Sequence, residues 1–328
     1  MDYEMFIKIV KEKIQVIANK YGSGIIIEIK KVVKNNNVKR DAISIYMQED
    51  TVVPTIYLDN FYNEYKSGRS IENICEDIFY IYKTGNIEIE ESVRNFEEWD
   101  QIKDNVFYRI INYEMNKDFL RKVPFVKFLD LAIIFSIVVQ CDASGLSAAT
   151  IMNSHLSDLG ITKKVLRQTA FQNMWQKYPA VIVPMKDIIT ELIMNDIVND
   201  EEDDIVREEV EYGDYTYSQV EDMVREEVDE VARNNPMEMY VLTNSIKING
   251  AACITYPNVI KEFAEEHNND VYIIPSSIHE VILIPGHDLD IDHINEMIRE
   301  VNQSQVDPIE VLSDHVYCYS RSDGEIHY

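Results

Sequence analysis

The side chains best suited to chemistry lie in residues 271–285, where two apolar runs flank a polar loop. The candidate catalytic residues of this loop are Ser276, Ser277, His279 and Glu280. A nucleophile, an imidazole and a carboxylate within reach of one another would suit hydrolysis, and Cys253 is a further possible nucleophile. In the competing interpretation the loop is an ordinary hairpin, with hydroxyls bound to turn amides and His279 beside a carboxylate. The residue types favour the hairpin, because serine and histidine are common in surface turns.

A second cluster offers oxygen and nitrogen ligands of the kind that bind divalent cations. Its members are His287, Asp288, Asp290, Asp292 and His293. The spacing resembles the start of a calcium loop, but His293 stands at the turn-glycine position and Arg299 where the bidentate acid belongs. Aspartates are also favoured just before a helix, where they cap it and face its positive dipole end. We therefore favour a helix cap over a metal site.

A third candidate, residues 141–145, places Cys141, Asp142 and Ser144 after a long apolar run. Ligands often bind at the carboxyl ends of strands, but a buried thiol followed by a simple turn explains the same residues. The chain has no G-x-S-x-G elbow, no glycine-rich phosphate loop and no H-E-x-x-H motif. The sequence therefore argues against an enzyme, and we predict no cofactor.

The charge of the chain is strongly negative and unevenly distributed. Its 31 basic and 58 acidic residues give a net charge of −27, which repels phosphate backbones and anionic lipid. Residues 196–235 hold 16 acidic residues and three arginines, about half of the excess. Direct nucleic-acid binding and membrane association are therefore disfavoured. The four scattered cysteines and the absence of a long apolar run predict a cytoplasmic protein.

Hydrophobic periodicity predicts an α+β fold with two packed lobes, each a mostly antiparallel or mixed sheet with flanking helices. The predicted organisation is an N-terminal α+β lobe (1–145), a helical connection with the acidic segment (146–236) and a C-terminal α+β lobe (237–328). The predicted helices are 2–20, 58–65, 71–82, 116–122, 162–177, 184–198, 259–266 and 291–301. The predicted strands are 24–34, 38–48, 105–113, 128–140, 238–243, 251–256, 271–274, 280–284 and 311–319.

Several short motifs resemble an uncharacterised family of unknown function that is common in gut Firmicutes. These motifs are Pro54 to Leu58 with Phe61 and Tyr62, Asn112 to Glu114, Pro124 with Phe128 to Leu131, and Asn244, Gly250 and Ala251 with Pro275 to Val281. The resemblance spans most of the chain and implies a recurrent bacterial fold without an assigned activity. The acidic segment is longer than the corresponding connection in that family.

Three hypotheses for function follow. The leading hypothesis is a non-enzymatic cytosolic binding or regulatory protein that engages a protein partner through an acidic and aromatic surface. The aromatic part of that surface would come from Tyr57, Phe61, Tyr62 and Tyr65. The second is a hydrolase that uses His279 and Glu280 with a serine or cysteine nucleophile. The third is a DNA mimic, in which residues 196–230 present carboxylates in place of phosphates.

Overall fold

The computed structural model describes residues 1–48, 55–93, 98–142, 145–199, 211–212, 215–234, 237–286 and 289–328. The chain divides into two compact units whose segments alternate along the sequence. Unit 1 comprises Met1–Phe107, Glu114–Phe125 and Phe135–Ala170, and unit 2 comprises Tyr108–Tyr113, Val126–Ile134 and Phe171–Tyr328. The sheets are mostly antiparallel and have flanking helices, so the predicted α+β class is confirmed.

The N-terminal part of unit 1 is a small sheet covered by helices. Its elements are α1 (Tyr3–Tyr21), β1 (Ile26–Val33), β2 (Lys39–Tyr46), β3 (Ile56–Tyr57), α2 (Leu58–Lys66) and α3 (Ile71–Val93). The three strands pair antiparallel in the order β1-β2-β3. Phe6, Val10 and Ile14 recur at helical spacing on α1 and are fully buried. They pack with the inward side chains of the strands and of α3 to form one core.

The strands predicted at 24–34 and 38–48 are confirmed and pair as a hairpin, whose turn is a short 3-10 segment, Asn35–Asn37. Asn36 and Asn37 have φ of 57° and 58°, a left-handed backbone that asparagine tolerates better than most residues. The Asn36 backbone N–H donates to Asn116 Oδ1 at 2.8 Å, and Asn116 Nδ2 donates to Asn36 Oδ1 at 2.8 Å. Both side chains are buried, so these bonds satisfy polar groups that water does not reach.

The middle of the chain forms a second sheet and four helices. Its elements are α4 (Trp99–Ile102), β4 (Val106–Asn112), α5 (Lys117–Leu120), β5 (Phe125–Phe128), β6 (Leu131–Asp142), β7 (Gly145–Thr150), α6 (Asn153–Asp158) and α7 (Lys163–Lys177). The strand order is β4-β6-β5, and β7 also pairs with β6. The prediction of one strand over 128–140 was wrong at its first residues. Phe128 is the last residue of β5, Leu129 lies in a turn with a φ of 55°, and β6 begins at Leu131. Thr162 caps the N-terminus of α7, where its hydroxyl accepts from the Val165 backbone N–H at 3.3 Å.

The rest of unit 2 is built on a six-stranded sheet. Its elements are β8 (Ala180–Pro184), α8 (Met185–Asn199), β9 (Glu211–Tyr212), β10 (Tyr215–Thr216), α9 (Tyr217–Asn234), β11 (Tyr240–Asn244), α10 (Val259–Glu266), β12 (Val271–Pro275), β13 (Val281–Pro285), α11 (Ile291–Ser304), β14 (Tyr317–Ser320) and β15 (Glu325–His327). The order is β15-β14-β12-β13-β11-β8, with antiparallel pairing between neighbours.

Two predictions in this region were wrong, and one strand was not predicted. The strand predicted at 251–256 is a 3-10 helix, Gly250–Thr255, because its first five residues are all buried and do not alternate between two faces. Residues 180–184 form an edge strand that was not predicted, and the helix predicted from residue 184 begins at Met185. The strand predicted at 311–319 begins only at Tyr317, since Ser313 turns inward to form hydrogen bonds.

The helical prediction for the acidic region is confirmed for Tyr217–Asn234, and residues 200–210 lie outside the described part. None of the helices among the described residues combines the length and the apolar character that a membrane span requires.

Candidate functional site

The loop of residues 276–280 is the turn of the β12–β13 hairpin, in which Pro275 pairs with Val281. The Ser277 backbone N–H donates to the Glu280 carbonyl at 3.1 Å. The His279 backbone N–H donates to Ser277 Oγ at 3.0 Å. The Ser277 hydroxyl oxygen therefore serves as an acceptor within the turn, as serine commonly does.

Both nitrogens of the His279 ring have protein neighbours. The Asn249 backbone N–H donates to His279 Nδ1 at 3.2 Å, and Nε2 lies 3.5 Å from Glu310 Oε1. A neutral ring that accepts at Nδ1 carries its hydrogen on Nε2, which here faces the Glu310 carboxylate. The Ile278 backbone N–H also donates to the Glu310 carbonyl at 2.9 Å. His279 thus joins the hairpin turn to two other segments.

The candidate nucleophiles are not arranged around this ring. Cys253 is fully buried, and its thiol donates to the Thr243 carbonyl at 3.3 Å. Burial raises the pKa of the Cys253 thiol to about 12, so the thiol stays protonated at neutral pH. Among the described residues, no serine or cysteine side chain forms a hydrogen bond with the His279 ring.

The predicted metal cluster contains a helix cap. Asp290 precedes α11, and its carboxylate accepts from the His293 backbone N–H at 3.1 Å. Asp292 and His293 lie exposed in the first turn, and His287 and Asp288 fall outside the described residues. Across the part of the chain that the structure describes, no group of three or more potential ligands could hold a metal ion. The side chains of residues 141–145 also lie outside that part.

A network of hydrogen bonds around Asp130 connects segments of unit 2 that are far apart in the sequence. Ser313 Oγ donates to Asp130 Oδ2 at 2.7 Å, and the Tyr317 hydroxyl donates to Asp130 Oδ1 at 2.6 Å. The Asn112 amide donates to the Leu312 carbonyl at 3.1 Å. Burial, followed by the nearby Asp130 charge, raises the pKa of Tyr317 well above its usual value. The motifs containing Asn112 and Asp130 were recognised in the sequence, but not their connection to Ser313 and Tyr317.

An apolar groove lies between α8 and α9, and we call it the α8–α9 groove. Its volume is about 880 Å³, and the apolar residues lining it include Ile189, Ile193, Val228, Val231, Met237 and Met239. Ile189 is 40% exposed and Ile193 is 38% exposed. Lys186 Nζ pairs with Asp229 Oδ1 at 2.9 Å and connects the two helices. The sequence did not indicate this groove, although α8 carries large apolar residues on nearly all sides.

The structure therefore defines an α+β protein with two units, an internally bonded hairpin loop and an apolar groove between acidic helices. Comparison with protein families shows that the chain belongs to a family of unknown function, DUF5688, whose model matches residues 3–321. No curated protein and no solved structure matches the chain.

The close packing of Gly250 generates a first prediction. A Cβ atom at this position would lie 2.1 Å from Thr243 Oγ1, 2.6 Å from the Asn244 nitrogen and 2.6 Å from the His279 carbonyl oxygen. Gly250→Ala should lower the free energy of unfolding by about 3 kcal/mol, because backbone atoms must move to admit the methyl group. Urea unfolding measures the change. Gly286→Ala is the control, since a Cβ there meets no atom within 4 Å, and equal losses in both variants would contradict the prediction.

The Asp130 network generates a second prediction. Tyr317→Phe removes one donor to the Asp130 carboxylate and should cost about 2 kcal/mol of stability at neutral pH. The pKa of Tyr317 is raised in the folded state, so the unfolded chain loses this proton first as the pH rises. The stability advantage of the wild type over the variant should therefore shrink above about pH 10.

Chemical unfolding at neutral and alkaline pH measures this difference. Tyr80→Phe, at a hydroxyl exposed on α3, is the control and should leave stability unchanged. A difference between wild type and Tyr317→Phe that stays constant up to about pH 11 would show that the hydroxyl is not protected by the fold.

Proposed function

We propose that this protein is a non-enzymatic binding protein whose α8–α9 groove takes a basic, amphipathic segment of another protein. The observation that carries the proposal is the exposure of large aliphatic side chains in one groove between two acidic helices. Contiguous exposed apolar surface of this kind usually marks an interaction site, because exposing it to water is otherwise unfavourable.

The shape of the apolar surface favours a protein segment over a small molecule. Exposed apolar surface is also present on α9 outside the lining of the groove, where Met223 is 54% exposed. A groove between two neighbouring helices can bind the apolar face of a third, amphipathic helix. Two methionines that line the groove, Met237 and Met239, have flexible side chains that adapt to such a partner.

The charge around the groove favours a basic partner. Together α8 and α9 carry nine acidic and three basic residues, a net charge of −6. The basic residues already have partners: Lys186 pairs with Asp229, Arg225 pairs with Glu221 at 3.3 Å, and Arg233 Nε donates to the Asp229 carbonyl. Among the described residues, Glu226, Glu227 and Glu230 have no ion pair. Lysine or arginine on the partner would complement these carboxylates, whereas a second copy of this acidic chain would add repulsion.

The proposal also includes a bacterial cytoplasmic location. Three described cysteines, Cys75, Cys253 and Cys318, are free thiols, which suits a reducing compartment.

A model peptide tests the groove. The probe is a fluorescent helical peptide about as long as the 15 residues of α8, with leucines along one face and lysines along the other. We expect saturable binding to the full chain, measured by fluorescence anisotropy at physiological ionic strength. The double variant Ile189→Ser/Ile193→Ser should weaken binding by about tenfold or more, because each isoleucine loses about 1 kcal/mol of apolar burial.

Leu192→Ser is the matched control, because Leu192 is more exposed than either isoleucine but does not line the groove. It should bind the peptide like the wild type. A peptide with glutamates in place of the lysines should bind much more weakly at the same ionic strength. Equal losses for Leu192→Ser and the double variant would contradict the assigned site, and equal binding of both peptides would contradict the assigned charge.

A further inference from the structure

Strand β1 is the outermost strand of the three-stranded sheet in unit 1, and one of its edges is open. Strand β2 pairs with it along one side. On the other side, no backbone group of Ile26–Val33 forms a hydrogen bond with another described residue. Two common protections against pairing with another chain, a bulge and a proline, are absent from β1. The edge is therefore free to pair over the 8 residues of the strand.

The hairpin shows which backbone groups point to this edge. Just beyond β1, the Lys34 N–H donates to the Val38 carbonyl at 2.7 Å, and the register between β1 and β2 continues unbroken from there. Successive residues of an antiparallel strand direct their backbone groups to opposite sides, so the even-numbered residues of β1 bond to β2. The N–H and C=O groups of Ile27, Ile29 and Lys31 therefore point to the open edge.

Two opposite charges on the exposed face of β1 define how a second copy would fit. Glu28 and Lys30 are both exposed and flank Ile29. When two β1 strands pair antiparallel about Ile29, Glu28 of each copy lies opposite Lys30 of the other, so two favourable cross-strand pairs form. Pairing about Glu28 or about Lys30 would instead place like charges opposite each other. The charge pattern thus favours the register centred on Ile29.

The same register also aligns the backbone groups that point to the edge. Ile29 faces Ile29 of the second copy, and Ile27 faces Lys31 at two equivalent positions. These pairs would form about six backbone hydrogen bonds. Ile29 is half-buried against the core of unit 1, so contact with its symmetry mate would remove further apolar surface from water.

The charges also favour a second copy over a foreign strand of one charge sign. A strand with only acidic side chains would oppose Glu28, and one with only basic side chains would oppose Lys30. The acidic excess of the chain does not oppose the contact, because residues 1–48 hold nine basic and five acidic residues, a net charge of +4. Physiological salt screens a net charge of this size over distances beyond about 8 Å.

We propose that two copies of this chain associate through antiparallel pairing of their β1 strands about Ile29, which joins their three-stranded sheets into one continuous sheet. The inference does not rest on the proposed function, since no residue of β1 lines the α8–α9 groove. The two proposals can fail separately.

Sedimentation velocity of the full chain over a concentration series tests the pairing, and we expect a reversible dimer. Glu28→Lys and Lys30→Glu should each weaken dimerisation by at least about tenfold, because each places like charges opposite each other at two positions. The double variant Glu28→Lys/Lys30→Glu should restore the dimer, and an equimolar mixture of the two single variants should form a heterodimer. Lys164→Glu, at an exposed residue of α7, is the control and should dimerise like the wild type.

A second pair of variants tests the backbone hydrogen bonds. Lys31→Pro removes an N–H that points to the edge and should abolish dimerisation, whereas Lys31→Ala keeps this N–H and should still dimerise. The groove variant Ile189→Ser/Ile193→Ser should dimerise like the wild type.

The proposal would be overturned by a wild type that stays monomeric throughout the series or by single charge variants that dimerise like the wild type. A double charge variant that does not recover the dimer, or a groove variant that loses it, would also overturn the proposal. If Lys31→Pro does not fold, the charge variants decide the result.

Discussion

The backbone at Gly250 packs so tightly against Thr243, Asn244 and the His279 carbonyl that no side chain fits between them. Hydrogen bonds reinforce the contact, since Thr243 Oγ1 donates to the His279 carbonyl at 2.8 Å and the Asn249 N–H donates to the His279 ring. This contact holds the end of β11 against the turn that precedes β13. Because β11 pairs with β13 on one side and β8 on the other, the geometry of the whole sheet edge depends on it.

The position of the α8–α9 groove depends on this edge of the six-stranded sheet. Strand β8 is the outermost strand and leads directly into α8, whose first backbone N–H, on Met185, donates to the Met239 carbonyl at 2.8 Å. The Lys186–Asp229 pair then connects α8 to α9. The sheet therefore fixes the position of the first residues of α8. The aliphatic side chains that line the groove between α8 and α9 remain partly exposed. This separation suits a binding protein, in which a rigid frame presents a surface that can adapt to a partner.

Much of the fold could be predicted because local patterns matched the final structure. Phe6, Val10 and Ile14 show helical spacing, and the three asparagines at 35–37 indicate a hairpin turn. The edge strand at 180–184 was not predicted, since a short apolar run has no clear period. The α8–α9 groove was missed because tertiary packing decides which face of an apolar helix stays exposed.

The proposal that the α8–α9 groove binds a basic amphipathic segment is best tested by hydrogen–deuterium exchange with mass spectrometry. This measurement locates the surface that a bound peptide covers. Amides in Met185–Asn199, Tyr217–Asn234 and residues 237–240 border the α8–α9 groove. The account predicts that peptide binding slows exchange in these three segments and leaves exchange in the β12–β13 turn unchanged. Protection confined to the hairpin turn or to unit 1, with no change in α8 and α9, would contradict it.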